Sequence, residues 1–374
     1  MKRVFIIGGG FAGISALRHF AKYRDICTIT LIDRKETSDF LPIIPDVVGG
    51  SIANNHAALN LSKITKRYKA CFIHDEVTSV DIRNKSVITS NSSLEYDYLL
   101  IACGTRTNFY GNENLKNNAL KLDSVQDAVR IKNSLLSKKS RTIMVVGGGY
   151  TGIELITNAW LLCRHHDIRA EFILIERAPS VIAQLPDWMK EYVLNNLKSL
   201  GFVVKCNTGL EAVNKNSVKL SDGTEYEDVL LLWSAGVTFS EINFKPEIER
   251  KHQARLSVDE YLRINEYCFA AGDAAGFLQG GRELRMGIQF SLKEGQLAAE
   301  NIVRRIKGKA FKRFRPVDLG YIVPMANKKG CGVALGRGLK GIFAIILHYI
   351  MCVYRTYGWR NKFGIVKDLI MKRV

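Results

Sequence analysis

A cluster of glycines near the start of the chain has the spacing used by nucleotide-binding loops. The apolar residues Val4–Ile7 lead into a Gly-x-Gly-x-x-Gly pattern formed by Gly8, Gly10 and Gly13. In such a loop the first glycine allows a tight turn, the second lets a pyrophosphate approach the backbone, and the third lets the helix pack closely on the strand. Asp33 lies 20 residues beyond Gly13, where an acid accepts hydrogen bonds from ribose hydroxyls. These residues predict a dinucleotide site.

The same pattern recurs in the middle of the chain. Another apolar run leads into Gly147, Gly149 and Gly152, and Glu176 follows the next run. A carboxylate at that point accepts from a free 2′-hydroxyl and repels a 2′-phosphate, which favours NADH over NADPH. The neighbouring Arg177 weakens this preference, because an arginine can accommodate the phosphate. Two such patterns in one chain predict two dinucleotides that meet face to face.

These loops need particular strands and helices to hold them. Apolar, partly β-branched runs predict buried parallel strands, and glycine turns predict the helices that follow. The predicted strands and helices around the two turns are Val4–Ile7, a helix from Ile14 to about Tyr23, Thr28–Ile32, Thr142–Val146, a helix from Ile153, and Phe172–Ile175. Three further runs end beside glycines or an acid: Tyr96–Thr105, Val229–Val237 and Cys268–Asp273. Together they predict an α/β fold with two Rossmann-like dinucleotide-binding domains.

With these motifs in this order, the whole chain resembles the flavoproteins with two dinucleotide-binding domains, the glutathione reductase-like superfamily. Within it the chain is similar to type II NADH dehydrogenases, the single-subunit, non-pumping NADH:quinone oxidoreductases. The segments that carry the finer resemblance are Phe40–Pro45, Trp233–Val237, Gly272–Asp273, Gln289–Gly295 and a basic, amphipathic C-terminus. The resemblance implies bound FAD, oxidation of NADH and reduction of a membrane quinone.

The resemblance also assigns roles to individual residues. It implies FAD contacts at Gly8, Gly10, Gly13, Asp33, Pro42, Val77, Ala102, Gly104, Gly272, Asp273 and Gln289. It implies NADH contacts at Gly147, Gly149, Gly152, Glu154, Glu176, Ala235 and Gly236. At the reacting centre it implies Glu154, near the nicotinamide and flavin rings, with Gln289 and Lys293 on the quinone side. Two residues depart from the family pattern: Lys293 replaces the second glutamine of the quinone-side motif, and Cys103 replaces a threonine.

Glu154 and Gln289 each have a structural interpretation beside the functional one. Glu154 stands in the first turn of a predicted helix, where an acid stabilises the positive end of its own helix dipole. Gln289 begins another predicted helix, which starts at Gly287, and could be a solvated helix residue. If that helix points its N-terminus at the flavin, its dipole would stabilise negative charge on the reduced ring.

Charge is the one abnormal bulk property, with a formal net value of +18. It predicts attraction to an anionic surface. Basic residues cluster at Arg304–Arg315 without an aromatic platform or a recognition motif, so nucleic acid is not the expected partner. From Arg337 onward, eight Lys and Arg accompany the single acid Asp368 and flank the uncharged run Gly341–Tyr354. Together with a second amphipathic piece, Phe363–Met371, closed by Lys372 and Arg373, this is typical of helices that lie in a membrane interface.

The eight cysteines are scattered, with no Cys-x-x-Cys pair. That spacing suits neither a zinc site nor a dithiol redox motif, so no metal is expected. No apolar stretch approaches the roughly 20 residues needed to span a bilayer. We therefore expect a peripheral protein on the cytoplasmic face of the cell membrane that contacts anionic phospholipid. A homodimer remains open as its assembly.

The predicted domains are residues 1–110 for the first part of an FAD domain, 111–239 for NADH, 240–325 for the second FAD part, and 326–374 for a helical membrane-binding segment. Two other functions stay open. A sulfide:quinone oxidoreductase would need cysteines facing the flavin, for which Cys331 is the candidate. A membrane-docked, NADH-responsive flavoprotein resembling apoptosis-inducing factor would signal or bind a partner and would not turn over rapidly.

Overall fold

The computed structural model describes residues 1–137 and 142–371. The chain divides into two compact units, the first formed by Met1–Ser38, Asn60–Arg106 and Val237–Asp318. The second unit is formed by Asp39–Leu59, Thr107–Gly236 and Leu319–Val374. These units divide the chain by its contacts, and the predicted cofactor domains stay a prediction. Residues 39–59, predicted within the FAD domain, and the C-terminal residues, predicted as a separate segment, both belong to the second unit.

The helices and strands are numbered in chain order. The helices are α1 (Phe11–Phe20), α2 (Ile44–Gly49), α3 (Leu61–Arg67), α4 (Glu113–Asn118), α5 (Val125–Leu136), α6 (Tyr150–His165), α7 (Asp187–Ser199), α8 (Ile288–Ile306), α9 (Ile342–Arg355) and α10 (Trp359–Met371). The strands of the first half are β1 (Lys2–Ile7), β2 (Cys27–Asp33), β3 (Thr37–Asp39), β4 (Ala58–Asn60), β5 (Cys71–His74), β6 (Val77–Asp81), β7 (Ser86–Thr89), β8 (Ser93–Glu95), β9 (Tyr98–Ile101), β10 (Thr105–Thr107), β11 (Leu120–Lys121), β12 (Thr142–Val146), β13 (Glu171–Ile175) and β14 (Val203–Lys205). Those of the second half are β15 (Leu210–Val213), β16 (Ser217–Leu220), β17 (Glu225–Glu227), β18 (Val229–Trp233), β19 (Val237–Phe239), β20 (Asn243–Lys245), β21 (Leu256–Ser257), β22 (Cys268–Ala270), β23 (Ala275–Gly276), β24 (Leu278–Gln279), β25 (Arg282–Glu283), β26 (Gly320–Met325), β27 (Lys329–Ala334) and β28 (Arg337–Lys340).

A five-stranded parallel sheet of order β22-β9-β1-β2-β5 forms the centre of the first unit. Ile7 at the end of β1 pairs with Ile32 on one side and with Ile101 on the other, and Ala270 pairs with Ile101 in turn. The carboxyl ends of four strands therefore share one edge of the sheet. In α/β sheets that edge is where ligands bind.

The second unit repeats this plan with a sheet of order β11-β18-β12-β13-β14, also parallel. Val146 at the end of β12 pairs with Ile175 and with Trp233, so three strand ends again line up. The α/β fold and the predicted central strands are confirmed. The two helices after the glycine turns begin three residues earlier than predicted, at Phe11 and Tyr150, because Gly10 and Gly149 are themselves the N-cap residues.

The C-terminal region is only partly helical. Strands β27 and β28, at the start of the segment predicted as helical, form a three-stranded antiparallel sheet with β26. Helices α9 and α10 follow it, and α9 packs on β26 and β27. Lys372 and Arg373 lie outside the described residues. Within residues 1–137 and 142–371, no helix combines the length and the apolar composition needed to cross a membrane.

Candidate functional site

The first glycine turn is shaped by two close contacts and one open face. Gly8 has φ of +104°, and a Cβ added there would lie 2.5 Å from the carbonyl oxygen of Ala102. A Cβ at Gly13 would lie 1.9 Å from the carbonyl oxygen of Gly8. At Gly10, by contrast, an added Cβ would meet no atom within 4 Å. The backbone is thus exposed only at the glycine predicted to face a pyrophosphate, and the turn fits that group.

Asp33, at the end of β2, lies beside this turn. Its Oδ2 accepts a hydrogen bond of 2.6 Å from the backbone N–H of Gly9, and its Oδ1 accepts one of 2.8 Å from that of Lys35. The two bonds fix the orientation of the half-buried carboxylate. It can then accept from ribose hydroxyls on its remaining lone pairs.

The other predicted FAD residues fall into two groups. Val77 is buried at the start of β6, and Ala102 and Gly104 follow β9 on the same sheet edge as Gly8. These three belong to the first unit with the glycine turn. Pro42 lies in a short 3-10 helix of the second unit. The FAD contact of Pro42 stays a prediction.

Strand β22 leads into Gly272, where the structure reveals a buried polar cluster that sequence reasoning missed. Glu294 of α8 accepts a hydrogen bond of 2.6 Å from the backbone N–H of Gly272. Arg255, itself buried, donates to the carbonyl oxygens of Asp273, Ala275 and Leu284. Burial raises the pKa of Asp273, and it raises the pKa of Glu294 to about 8. At neutral pH Glu294 therefore carries a proton most of the time.

Helix α8 packs closely against α1, the helix of the first glycine turn. This close approach requires glycine at position 295, because a Cβ there would lie 2.1 Å from the carbonyl oxygen of Ala12. The hydroxyl of Ser15 donates a hydrogen bond of 2.6 Å to the carbonyl oxygen of Leu292. Helix α8 begins after Gly287, which provides no side-chain cap, and its N-terminus carries the positive end of the helix dipole.

Gln289 and Lys293 occupy different surroundings on α8. The half-buried Gln289 is the second residue of the helix, and its side-chain amide donates a hydrogen bond of 2.9 Å to Asp318. Lys293 is exposed, whereas Ser291 and Glu294 on the same helix are buried. The roles of Gln289 and Lys293 at a quinone stay predictions.

The second glycine turn repeats the geometry of the first. Gly147 has φ of +110°. A Cβ at Gly152 would lie 1.8 Å from the carbonyl oxygen of Gly147, while a Cβ at Gly149 would meet no atom within 4 Å. The same open face and the same close helix–strand contact thus occur in both units. This turn also fits a pyrophosphate.

Glu176 follows β13 as Asp33 follows β2. Its Oε2 accepts from the backbone N–H of Gly148 at 2.5 Å, and its Oε1 accepts from that of Ala178 at 2.7 Å. The side chain of Arg177 is exposed. The carboxylate is held rigidly, and its charge is placed where the 2′ position of a ribose is expected.

The predicted residues Ala235 and Gly236 follow β18 at the same edge of the second sheet. Ser234 precedes them and donates to the carbonyl oxygens of Val146 and Gly147 at 3.0 and 3.2 Å. Gly236 has φ of +87°, and a Cβ there would lie 2.1 Å from the hydroxyl of Tyr110. The two hydrogen bonds of Ser234 join β18 to the glycine turn.

Glu154 lies beyond the first turn of α6, which contains no acid, and is half-buried. Desolvation, followed by the negative charge of the nearby Asp46, raises its pKa well above the ordinary value for glutamic acid. A raised pKa favours the neutral form of the acid, and the neutral form does not stabilise a helix dipole. This environment favours a proton donor over the dipole-stabilising role.

The chain is similar in sequence to known proteins over most of its length. The sequence model of the pyridine nucleotide-disulphide oxidoreductase family matches residues 2–298. A protein of Staphylococcus haemolyticus named type II NADH:quinone oxidoreductase is 25% identical over 368 residues, covering 91% of each chain. A protein of Staphylococcus aureus with the same name is 23% identical, also over 368 residues.

Solved structures share the fold. NDH2 of Plasmodium falciparum in complex with NADH matches with a TM-score of 0.87 at 18% identity, covering 100% of this chain and 98% of that one. The sulfide:quinone oxidoreductase of Aquifex aeolicus matches with a TM-score of 0.81 at 17% identity, covering 100% and 96%. At these identities the likeness establishes the fold alone and does not distinguish the two activities.

Proposed function

The chain belongs to the pyridine nucleotide-disulphide oxidoreductase family, and on that premise we propose that it is a type II NADH:quinone oxidoreductase. It holds FAD, oxidises NADH and reduces a membrane quinone without pumping protons. The observation that carries the proposal is the duplicated site. In each unit an open glycine turn lies beside an acid whose two carboxylate oxygens are fixed by backbone N–H groups.

When bound, FAD accepts a hydride from NADH and passes two electrons to the quinone. The chain's own residues bind and orient the two dinucleotides. Gly10 and Gly149 leave the backbone open to the pyrophosphates, and Asp33 and Glu176 accept from the riboses. The N–H groups at the start of α8 stabilise negative charge on the reduced ring.

The environment of the cysteines argues against thiol chemistry. All eight are free. Burial raises the pKa of Cys103 and of Cys331 to about 12, so both thiols stay protonated at neutral pH and are poor nucleophiles. This disfavours a disulfide reductase and the alternative of a sulfide:quinone oxidoreductase. Glu176 disfavours the latter as well, because it builds a site for a nicotinamide dinucleotide.

Helices α9 and α10 support a position on the membrane. Each presents a row of large apolar side chains to solvent: Phe343, Ile346, Ile350 and Tyr354 on α9, and Trp359, Phe363, Val366 and Ile370 on α10. We name this surface the apolar row. Its aromatic rings and the neighbouring cations, among them Arg360 and Lys362, suit the interface of an anionic bilayer. A peripheral position on the cytoplasmic face of the cell membrane follows from the proposal.

Anaerobic rapid mixing tests the function. NADH should bleach the flavin absorbance of the purified, yellow protein, and a quinone added afterwards should restore it within the turnover time. Sulfide in place of NADH should leave the flavin oxidised. Flavin reduction without rapid reoxidation by any quinone would instead support the NADH-responsive, signalling flavoprotein.

Substitution of Glu176 tests the nucleotide preference. Glu176→Ala is expected to narrow the NADH-to-NADPH ratio of kcat/KM by about tenfold, or about 1.4 kcal/mol, because a fixed carboxylate no longer repels the 2′-phosphate. The measurement is steady-state kinetics with both nucleotides.

The matched control for this change is Glu171→Ala, which removes an exposed acid at the start of the same strand, β13. That variant should keep the wild-type ratio. An unchanged ratio in Glu176→Ala would show that another group, such as Arg177, sets the preference.

A further inference from the structure

A buried carboxylate lies in the second unit, apart from the residues assigned to either cofactor. Asp46 of α2 is 7% exposed. Its Oδ1 accepts a hydrogen bond of 2.7 Å from the hydroxyl of Tyr349 on α9. This donor is a neutral hydroxyl group, and the Ser51 hydroxyl donates at 3.2 Å to the backbone carbonyl oxygen of Asp46. Among residues 1–137 and 142–371 no cation forms an ion pair with this carboxylate, and burial of an unpaired carboxylate is costly for a fold.

Glu154 belongs to the same cluster. Its carboxyl group lies within electrostatic range of Asp46. Tyr349 and the buried Cys352 of α9 are influenced by both acids. Three helices, α2, α6 and α9, thus bring two carboxyl groups and a phenol together. The residues come from distant parts of the chain, since Asp46 and Tyr349 are 303 positions apart.

A second observation shows that the cluster has an unused polar group. Asn158 of α6 is 5% exposed and donates a hydrogen bond of 3.0 Å to the backbone carbonyl oxygen of Glu154. Its own side-chain oxygen has no hydrogen-bond partner among the described residues. That oxygen is directed at α2, because a Cβ at Gly49 would lie 2.3 Å from it. A buried acceptor of this kind is suited to a transient donor such as a water molecule.

The two acids differ in how readily they ionise. Desolvation raises the pKa of Asp46 to about 6, and the hydrogen bond from Tyr349 opposes this shift. The pKa of Glu154 is raised further, because Asp46 adds its charge to the effect of burial. At neutral pH Asp46 is therefore mainly ionised, and its charge favours the protonated form of Glu154.

Other titratable and charged groups surround the cluster. Burial and the nearby Arg355 lower the pKa of His348 to about 4, so this ring is neutral. Burial and the two acids raise the pKa of Cys352 well above its ordinary value. Lys132 of α5 approaches the end of α2, where its ammonium nitrogen lies 3.5 Å from the position of a Cβ at Gly50.

We propose that Asp46 and Tyr349 form a proton relay that resupplies Glu154 with the proton consumed when the quinone is reduced. This inference rests on the proposed quinone reduction and adds the route of its proton. The overall reaction is NADH + H⁺ + quinone → NAD⁺ + quinol. The hydride of NADH supplies both electrons and one proton equivalent, and the second proton comes from Glu154. Asp46 then reprotonates Glu154, and solvent on the α9 side reprotonates Asp46 through the Tyr349 hydroxyl, which is neither oxidised nor reduced.

The relay predicts that a variant of Asp46 loses turnover with a quinone but keeps turnover with an acceptor that takes no proton. Asp46→Asn keeps the size and the acceptor oxygen of the side chain but cannot carry an exchangeable acidic proton. With the full-length, FAD-loaded protein, we expect turnover with a soluble quinone to fall by about tenfold or more. Reduction of the flavin by NADH and turnover with ferricyanide should stay within about twofold of wild type, because ferricyanide takes electrons without protons.

The pH profile gives a readout that a purely structural role would not move. Resupply of Glu154 needs protonated Asp46, so wild-type quinone turnover should decline as pH rises above about 6, while ferricyanide turnover should not. Tyr349→Phe removes a hydrogen bond that favours the ionised form of Asp46, and this raises the pKa of Asp46. In Tyr349→Phe, quinone turnover should fall because the route through the hydroxyl is lost, and the declining limb of the remaining turnover should move to higher pH. In Asp46→Asn the limb should be absent.

Two controls match these variants. Tyr192→Phe changes a half-buried tyrosine of α7 in the same unit, and Asp127→Asn changes a buried acid in the first turn of α5; both should keep the wild-type profile. Equal loss with quinone and ferricyanide in Asp46→Asn, or an unmoved limb in Tyr349→Phe, would overturn the relay alone. Failure of the wild-type protein to reduce any quinone would overturn the proposed function and the relay with it.

Discussion

Alanine at Gly13 is expected to give a protein that no longer holds FAD. The added methyl carbon would lie 1.9 Å from the carbonyl oxygen of Gly8, far inside van der Waals contact. Because both atoms belong to backbone or are fixed to it, α1 would have to move away from β1. That movement would open the turn that holds the pyrophosphate. The purified variant should be close to colourless at 450 nm, whereas the wild type carries about one FAD per chain.

The matched change is Gly10→Ala, three residues earlier in the same turn. Gly10 has φ of −78° and ψ of −164°, which alanine adopts, and its Cβ would meet no protein atom within 4 Å. We expect the apoprotein to unfold at the wild-type temperature and yet to bind FAD about tenfold or more weakly, because the methyl group would face the pyrophosphate. Equal FAD content in both variants and wild type would show that FAD does not bind at this turn.

The second unit offers an internal repeat of the same experiment. Gly152→Ala places a methyl carbon 1.8 Å from the carbonyl oxygen of Gly147. This variant should stay yellow but should lose flavin reduction by NADH. If it lost FAD and Gly13→Ala lost only NADH, the assignment of the two cofactors to the two turns would have to be reversed.

Much of this site could be predicted because it is local in sequence. A glycine pattern, a strand and an acid about 20 residues later specify one turn and the next strand end. Parallel pairing then aligns the strand ends, and in the structure Ile7 pairs with Ile32 and Val146 with Ile175. Each step uses contacts between neighbouring elements of a known topology, so the sequence contains what is needed.

The buried polar clusters could not be predicted in this way. Glu294 looks like one acid among several on an amphipathic helix, and only its contact with Gly272 shows that it is buried. Asp46 follows an apolar run, and its partner Tyr349 was predicted only as an aromatic residue of an interfacial helix. The one signal in the sequence is that Glu294 stands next to Gly295. In the structure Gly295 contacts α1 closely, and that face of α8 is turned inward.

The C-terminal region shows a different limit. Its charge pattern correctly indicated two helices but concealed the sheet β26-β27-β28, on which α9 packs. It also concealed the attachment of α10, where Asp368 accepts hydrogen bonds from His56 at 2.7 Å and from the backbone N–H of Ala53 at 2.8 Å. Composition indicates which residues suit a membrane interface. The hydrogen bonds of Asp368 are made with residues 39–59, which are distant in the sequence.

These attachments change how the membrane prediction should be tested. Deleting residues 338–374 should remove attachment to anionic vesicles, but it would also remove Tyr349, Asp368 and part of the second unit's packing. Substituting the exposed side chains alone avoids this problem. Phe343, Ile346 and Ile350 are 72%, 49% and 58% exposed, so changing them should alter the free energy of unfolding by no more than about 0.5 kcal/mol each.

The triple variant Phe343→Ser, Ile346→Ser, Ile350→Ser is expected to detach the protein from anionic vesicles. Burying one such side chain in an apolar medium contributes roughly 1.5–3 kcal/mol. Even if each were only half immersed, the loss would reach about 3 kcal/mol, or more than a hundredfold in the partition coefficient. Sedimentation with vesicles should show the loss. Turnover with a water-soluble acceptor should survive, and turnover with a long-tailed quinone in liposomes should fall sharply.

The control replaces three exposed apolar residues outside the apolar row, Ile88, Leu278 and Leu335, with serine. If exposed apolar area anywhere sufficed for attachment, both triple variants would weaken vesicle binding equally. If the apolar row is the docking surface, only the first will, and high salt will weaken the wild type further because it screens the flanking cations. Undiminished vesicle binding by the first variant, with its flavin and NADH reactions intact, would contradict a membrane role for α9.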